Sequence, residues 1–324
     1  MVTPHKVHFQ KTYCLMILNY NGKKHLKDCL TTALEAVQTL GRSGSVIVVD
    51  NQSTEGDVGY IHSNFLQAEV IVAPKNDYLF SLNDAIAQRT EDIVIILNND
   101  MRFDRNFIAP LLPHFENPEV FAVTAKTLNW NGDQITTGKR IGYFKHFWFY
   151  KKWDYSVQRV CLTLDAGGGY AAFRRSMFVE LGGFDPLYRP GYCEDTDLSY
   201  RAWKRGWKVI YEPRSVIYHK TGATFDQVYD RSKTTQMILR NEVLFTIKNC
   251  GNSFFLLMYL LLLPLRAFRN FFEGNRPLTY GIFDAVGRMP LALLRRLQSI
   301  GKQRINDKQF FKKIKEDIEF PSLN

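Results

Sequence analysis

Tyr13-Cys14-Leu15-Met16-Ile17-Leu18, followed at once by Asn19-Tyr20-Asn21, decides the fold. An apolar run with no polar face predicts a strand buried on both sides, and the polar triplet marks its end. The same unit recurs twice downstream. Val46–Val49 leads into Asp50-Asn51-Gln52-Ser53, and Ile93–Leu97 leads into Asn98-Asn99-Asp100. Helical patterns lie between them. His25–Leu40 carries Leu26, Leu30, Ala33, Leu34 and Val37 on one face and stops at Gly41; Leu82–Gln88 is shorter. Val70–Val72 and Val120–Ala125 read as further strands, and Phe107–Phe115 as a helix. Buried strands alternating with helices predict an α/β fold, with a mostly parallel central sheet covered by helices on both faces.

In open α/β sheets ligands bind outside the carboxyl ends of the strands. Three polar clusters at three such ends would meet in one crevice, although Asn, Asp and Ser are also ordinary turn formers. No G-x-G-x-x-G follows the first strand, and Gly22-Lys23-Lys24 lacks the glycine and hydroxyl of a P-loop. Any nucleotide phosphates must then be held by a metal and scattered basic residues. The stretch 127–164 is rich in aromatics (Trp130, Tyr143, Phe144, Phe147, Trp148, Tyr150, Trp153), which suit stacking on sugar rings and core packing equally.

The 324 residues carry 42 Lys+Arg against 32 Asp+Glu, a net charge of +10 that favours anionic partners. The excess is uneven: residues 251–324 hold 12 basic and 6 acidic side chains and also the most apolar run, Phe254–Leu265. Together these predict contact with an anionic membrane surface, against the plainer reading of a core helix and a solvated basic tail. The run is shorter than the roughly 20 residues a span needs, so an in-plane helix fits better than a crossing one. Five cysteines without a C-x-x-C pair argue against a disulfide framework and fit a reducing compartment. Residues 1–11 read as an extension without the apolar core of a secretory signal.

Asp165–Lys220 carries the chemistry. It opens on Asp165-Ala166-Gly167-Gly168-Gly169-Tyr170, continues through a helix over Arg174–Leu181 to Gly182-Gly183-Phe184-Asp185, and reaches Glu194-Asp195-Thr196-Asp197-Leu198 at a second helix start. Acids suit a helix N-terminus, and Asp197 can pair with Arg201 at i, i+4. Capping does not need three carboxylates, and close like charges raise one another's pKa, which tunes a general base. A short strand, Ser215–Tyr218, ends at His219, which could ligate a divalent metal together with Asp100.

Read together, Ile17–Gly22, Val48–Ser53, Leu97–Asp100, Gly182–Asp185, Glu194–Leu198 and Tyr218-His219 resemble, in order, the motifs of family 2 glycosyltransferases of the GT-A fold, nearest to rhamnosyltransferase-like members. The resemblance covers about residues 12–248. It implies an inverting transfer of a sugar from a nucleotide-diphosphate sugar to an acceptor hydroxyl, on a glycan or a polyprenyl-linked saccharide, in surface polysaccharide synthesis. It implies donor nucleotide contacts from Asn19, Asp50, Asn51, Ser53, Asn76 and Asn99, and Mg²⁺ or Mn²⁺ held by Asp100 and His219. It implies Asp195 as general base with Glu194 beside it. Asn98-Asn99-Asp100 keeps only one acid of the family's D-x-D, and bulky Tyr78, Leu79 and Phe80 stand where many relatives have a glycine-rich loop.

The expected organisation is an extension (1–11), a GT-A domain (12–250) and a basic, amphipathic helical tail (251–324) lying on the cytoplasmic face of the membrane. The competing readings are a nucleotidyltransferase acting on sugar phosphates, which lacks its glycine-rich N-terminal loop here, and a non-catalytic membrane-attached binding protein, which does not need the Glu194-Asp195 pair. Nucleic acid is not expected, because the aromatics are not interleaved with basic residues in a recognition module.

Overall fold

The computed structural model describes residues 11–41, 43–220 and 230–316; the extension 1–11 therefore lies outside the described residues except for Lys11. The three apolar runs form β1 (Tyr13–Asn19), β2 (Gly44–Asp50) and β4 (Ile93–Asn98), with β3 (Ala68–Val72) at one edge. All four run parallel, in the order β4-β1-β2-β3. Both faces of each central strand are buried. In β1, Cys14 and Met16 face one core while Tyr13, Leu15 and Ile17 face the other; in β4, Val94 and Ile96 oppose Ile93, Ile95 and Leu97. This is why the runs are apolar without alternation.

Helices α1 (Lys23–Leu40) and α2 (Asp57–Asn64) cover one face of the sheet. The other is covered by α3 (Ser81–Ala87), α4 (Arg175–Glu180), α5 (Glu194–Lys204) and α6 (Arg231–Asn249). The first helix starts two residues earlier than its hydrophobic pattern, and Gly41 closes it in the left-handed conformation (φ 65°).

Beyond β4 the sheet is mixed. β5 (Met101–Phe103), β6 (Val120–Asn129), β7 (Ile135–Thr137), β10 (Cys161–Leu162), β11 (Tyr170–Arg174) and β12 (Lys208–His219) extend it, while β8 (Lys139–Lys145) and β9 (Trp148–Asp154) form a separate hairpin. β11 inserts antiparallel between β4 and β6, which carries Gly169 and Tyr170 to the end of β4. Two expectations need correction. Phe107–Phe115 is not an α-helix: turns lead to a 3₁₀ segment, Leu112–Glu116. Pro110 and Pro113 deprive a helix of backbone donors there, while Phe107, Leu111 and Phe115 are still buried. The strand at Ser215–Tyr218 is the end of the long β12, which passes Pro213 with a bulge between Glu212 and Val216.

The C-terminal helices are α7 (Ser253–Phe272), α8 (Arg276–Val286), α9 (Met289–Ile300) and α10 (Asp307–Lys315). The apolar run is thus part of a 20-residue helix, long and apolar enough to cross a membrane by length and composition. Its inner face, with Leu256, Tyr259 and Leu263, packs on the hairpin, where Phe144 and Phe147 meet Phe255 and Trp148 meets Tyr259. Those hairpin aromatics are half-buried and pack against the core. The outer face exposes Phe254, Leu257, Leu261, Leu265, Phe268 and Phe272, and α8 and α9 continue it with Phe283, Leu294 and Leu297. α10 folds back, burying Phe310 and Phe311 against Tyr200 and Trp203 of α5.

Candidate functional site

The carboxyl ends of β1, β2 and β4 converge through side chains. Asn19, fully buried, donates from Nδ2 to Asp50 Oδ1 (2.9 Å), Asp57 Oδ1 (3.0 Å) and Ser53 Oγ (3.2 Å). Its Oδ1 accepts from Asn99 Nδ2 at 2.6 Å. The Ser53 backbone N–H and hydroxyl donate to Asp50 at 2.9 and 2.6 Å. One asparagine thereby ties three strand ends together. Gly22 closes the corner: a Cβ there would collide with the Asn99 amide, while its N–H donates to Asp57 Oδ1 at 2.7 Å. Asp57 belongs to this cluster; its role was not legible in the sequence, since its partners Asn19 and Gly22 lie 38 and 35 residues away.

Beside the cluster opens a cavity of about 350 Å³, lined by Leu18, Tyr20, Asn51, Asn76, Tyr78, Leu79, Asn98, Asn99, Gly168, Gly169, Tyr170, Pro190, Gly191 and Glu194. Four expected residues, Asn51, Asn76, Asn99 and Glu194, share this wall. Asn19, Asp50 and Ser53 stand behind it in the hydrogen-bonded cluster. Tyr78 and Leu79 form part of the wall in a short 3₁₀ turn. Asn51 Nδ2 donates to Tyr78 O (2.9 Å), and Arg189 forks onto Asp77 (2.7 and 2.5 Å), linking this loop to the opposite one. Asn21, Gln52, Tyr78, Tyr192 and Cys193 all carry positive φ on the loops around the site. Such backbone strain is held only where surrounding contacts over-determine it.

Glu194 and Asp195 open α5, at the positive end of its dipole. Burial, reinforced by the Asp195 charge, pushes Glu194 up to about 8, and its Oε2 is buried without a hydrogen-bond partner. Asp195 does not line the cavity itself. Its Oδ1 accepts from the Thr196 backbone N–H at 2.6 Å, and its charge acts on Arg140, Asp165 and the wall residue Tyr170. Arg140 donates to Asp165 Oδ2 at 3.1 Å, which Thr196 Oγ1 also contacts at 2.7 Å. Asp197, the third acid, is structural: Tyr188, Arg201, Lys248 and Asn249 all donate to it at 2.7–2.8 Å. Burial alone would raise it, but Lys248 and Arg201 hold it far below the usual carboxylate range.

Asp100 and His219 are brought together across a strand pair. His219 lies opposite Met101 in the β5–β12 ladder, and His219 Nε2 stands 3.3 Å from Asp100 Oδ1. That oxygen is buried and lacks a properly aligned hydrogen bond. Among the described residues no three His, Cys, Asp or Glu side chains stand close enough to hold an ion directly. An acid and an imidazole suit a cation that draws its remaining ligands from phosphate oxygens and water, as Mg²⁺ does beside nucleotides.

Residues 14–182, more than half of the chain, match the family model "Glycosyl transferase family 2". An N-acetylglucosaminyl-diphospho-decaprenol L-rhamnosyltransferase of Mycobacterium tuberculosis is 25% identical over 239 residues, which cover 65% of this chain and 76% of that enzyme. The O-antigen chain rhamnosyltransferase WbaN of Salmonella anatum is 26% identical over 191 residues, covering 57% of this chain and 59% of WbaN. The fold is similar to that of the mannosyltransferase PcManGT from Pyrobaculum calidifontis, solved with GDP-Man and Mn²⁺: TM-score 0.55 at 17% identity, over 89% of this chain and 87% of that one. The crevice at the strand ends, Glu194 on its wall and these matches agree: the chain belongs to glycosyl transferase family 2, has the GT-A fold, and is a glycosyltransferase that uses a nucleotide sugar.

Proposed function

We propose that this enzyme transfers a sugar, with inversion, from a nucleoside-diphosphate sugar to a hydroxyl of a lipid-linked saccharide, in the assembly of a surface polysaccharide. The observation that carries the proposal is Glu194, with Asp195 next to it in the chain, on the wall of one cavity that Asn51, Asn76 and Asn99 also line. The donor nucleotide lies along Asn51, Asn76 and Asn99, with Asn19, Asp50 and Ser53 holding that surface rigid. Its diphosphate reaches toward Asp100 and His219. Asp195 takes the proton from the acceptor hydroxyl as that oxygen attacks the anomeric carbon from the face opposite the leaving group. Burial favours the protonated form of Glu194. A Mg²⁺ or Mn²⁺ held by Asp100 and His219 would neutralise charge on the departing diphosphate. One displacement inverts the configuration, so no second nucleophilic carboxylate is required.

We place the boundary between the catalytic unit and the C-terminal helices at about residue 250; α10 packs back across it onto α5. The exposed apolar faces of α7, α8 and α9 together with basic side chains support peripheral, in-plane attachment to the cytoplasmic face of a membrane, where a polyprenyl-linked acceptor would be presented. One face of α7 is committed to the hairpin, which favours lying on the bilayer over crossing it. The L-rhamnosyltransferase relative, whose name specifies a diphospho-decaprenol-linked substrate, supports the same acceptor class.

A melting-temperature screen of UDP-, dTDP- and GDP-sugars, with and without Mn²⁺, tests the donor. One nucleotide should raise the melting temperature by mass action, more so with the ion. NMR of the product should then show the anomeric configuration opposite to that of the donor. A retained configuration, or no response to any nucleotide sugar, contradicts the proposal.

A further inference from the structure

His25 stands on the first turn of α1. Both of its ring nitrogens are buried without a hydrogen-bond partner. A buried polar group left unpaired is expensive, so two on one ring call for an explanation. Its neighbours are fixed by the packing of α1 on the strand ends. One turn before it, Gly22 abuts the Asn99 amide. One turn after it, Cys29 Sγ approaches Asn98 O at 3.7 Å, and two turns after it, Thr32 Oγ1 accepts from the Phe103 N–H at 3.1 Å. Residues 25, 29 and 32 share a helix face, so His25 lies over the segment that carries Asn99 and Asp100.

The other wall is Lys220, whose N–H donates to Asp100 O at 3.0 Å and whose ammonium lies 3.6 Å from Asp28 on α1. The groups facing His25 are therefore Asp100, Lys220, Lys24 and Asp28. Burial, then Lys220, lowers its pKa and favours the neutral imidazole, which has a free lone pair.

We propose that His25 is a positioning residue of the cation site, accepting through a ring nitrogen a hydrogen bond from a water bound to the ion held by Asp100 and His219. This rests on the reading of Asp100 and His219 as cation ligands given above. The outer position follows from the absence, among the described residues, of three such side chains close enough to ligate one ion directly. Asp100 Oδ1, buried without an aligned hydrogen bond and 3.3 Å from His219 Nε2, and the unpaired His25 nitrogens leave polar groups that an ion and its water would satisfy together. Partners that orient metal-bound groups in this way typically change metal affinity by roughly 10–100-fold when removed.

The test titrates Mn²⁺ alone into the full-length chain and reads the free ion by electron paramagnetic resonance. His25→Ala should weaken Mn²⁺ binding by about tenfold or more, while leaving the metal-free melting temperature nearly unchanged. His25→Gln, whose side-chain oxygen can also accept, should recover part of the loss and serves if the alanine variant is unstable. Wild-type affinity in both variants, with binding lost in Asp100→Ala, overturns the assignment of His25 and leaves the cation reading standing. Absence of Mn²⁺ binding in the wild-type chain overturns both.

Discussion

At the residue scale, the three acids at the head of α5 have three different fates. Asp197 is locked by four donors, Glu194 faces the cavity, and Asp195 sits against the Arg140–Asp165 pair. The sequence pattern grouped them and could not sort them, because the sorting depends on Tyr188, Lys248 and Arg140, distant in the chain. Glu194 has a thermodynamic signature. Burial first, then Asp195, raise it from 4.5 to about 8 in the folded state, so that state keeps a proton the unfolded chain releases. Stability should therefore fall as pH rises from about 4.5 to about 8. Glu194→Gln should flatten the melting temperature across that window; an unchanged pH slope would show that Glu194 is not buried as described.

At the element scale, α6 organises the loop that precedes the acids. Asn241, fully buried, donates from Nδ2 to the carbonyls of Tyr188 (2.8 Å), Gly191 (2.7 Å) and Tyr192 (3.0 Å). Arg240 Nη2 donates to Arg189 O at 2.6 Å, and Arg288, between α8 and α9, reaches the same carbonyl at 3.0 Å. These contacts hold Tyr192 and Cys193 at φ 71° and 72°, the turn that delivers Glu194 to the cavity. Asn241→Ala would leave three buried carbonyls without this donor and should cost roughly 2–4 kcal/mol, read by denaturant unfolding. A loss below about 0.5 kcal/mol would mean the loop is held elsewhere. Strands and long helices were legible in the sequence because burial dictates their residue types. The antiparallel insertion of β11 was not, since strand order depends on long-range pairing that periodicity does not encode. Nor was the Arg189–Asp77 fork, whose partners lie 112 residues apart.

At the scale of the whole molecule, α10 argues against testing the tail by truncation. Removing residues 251–324 would strip Phe310 and Phe311 from the core around Tyr200 and Trp203. Charges on the outward face test the same idea without touching that core. Leu261→Asp, Leu265→Asp and Phe268→Asp together should lower partitioning onto anionic vesicles by more than about tenfold, since each apolar side chain contributes of order 1.5–3 kcal/mol when buried; unchanged sedimentation would contradict membrane attachment. The account as a whole depends on the crevice at the strand ends being where the bond is made, with Asp195 as its base. The most direct measurement is the transfer rate of Asp195→Asn, from the donor identified by the melting screen to a lipid-linked saccharide acceptor, alongside its affinity for that donor. Transfer by this variant should be slower by roughly 10²–10⁴-fold with donor affinity nearly unchanged. Wild-type turnover in that variant would contradict it.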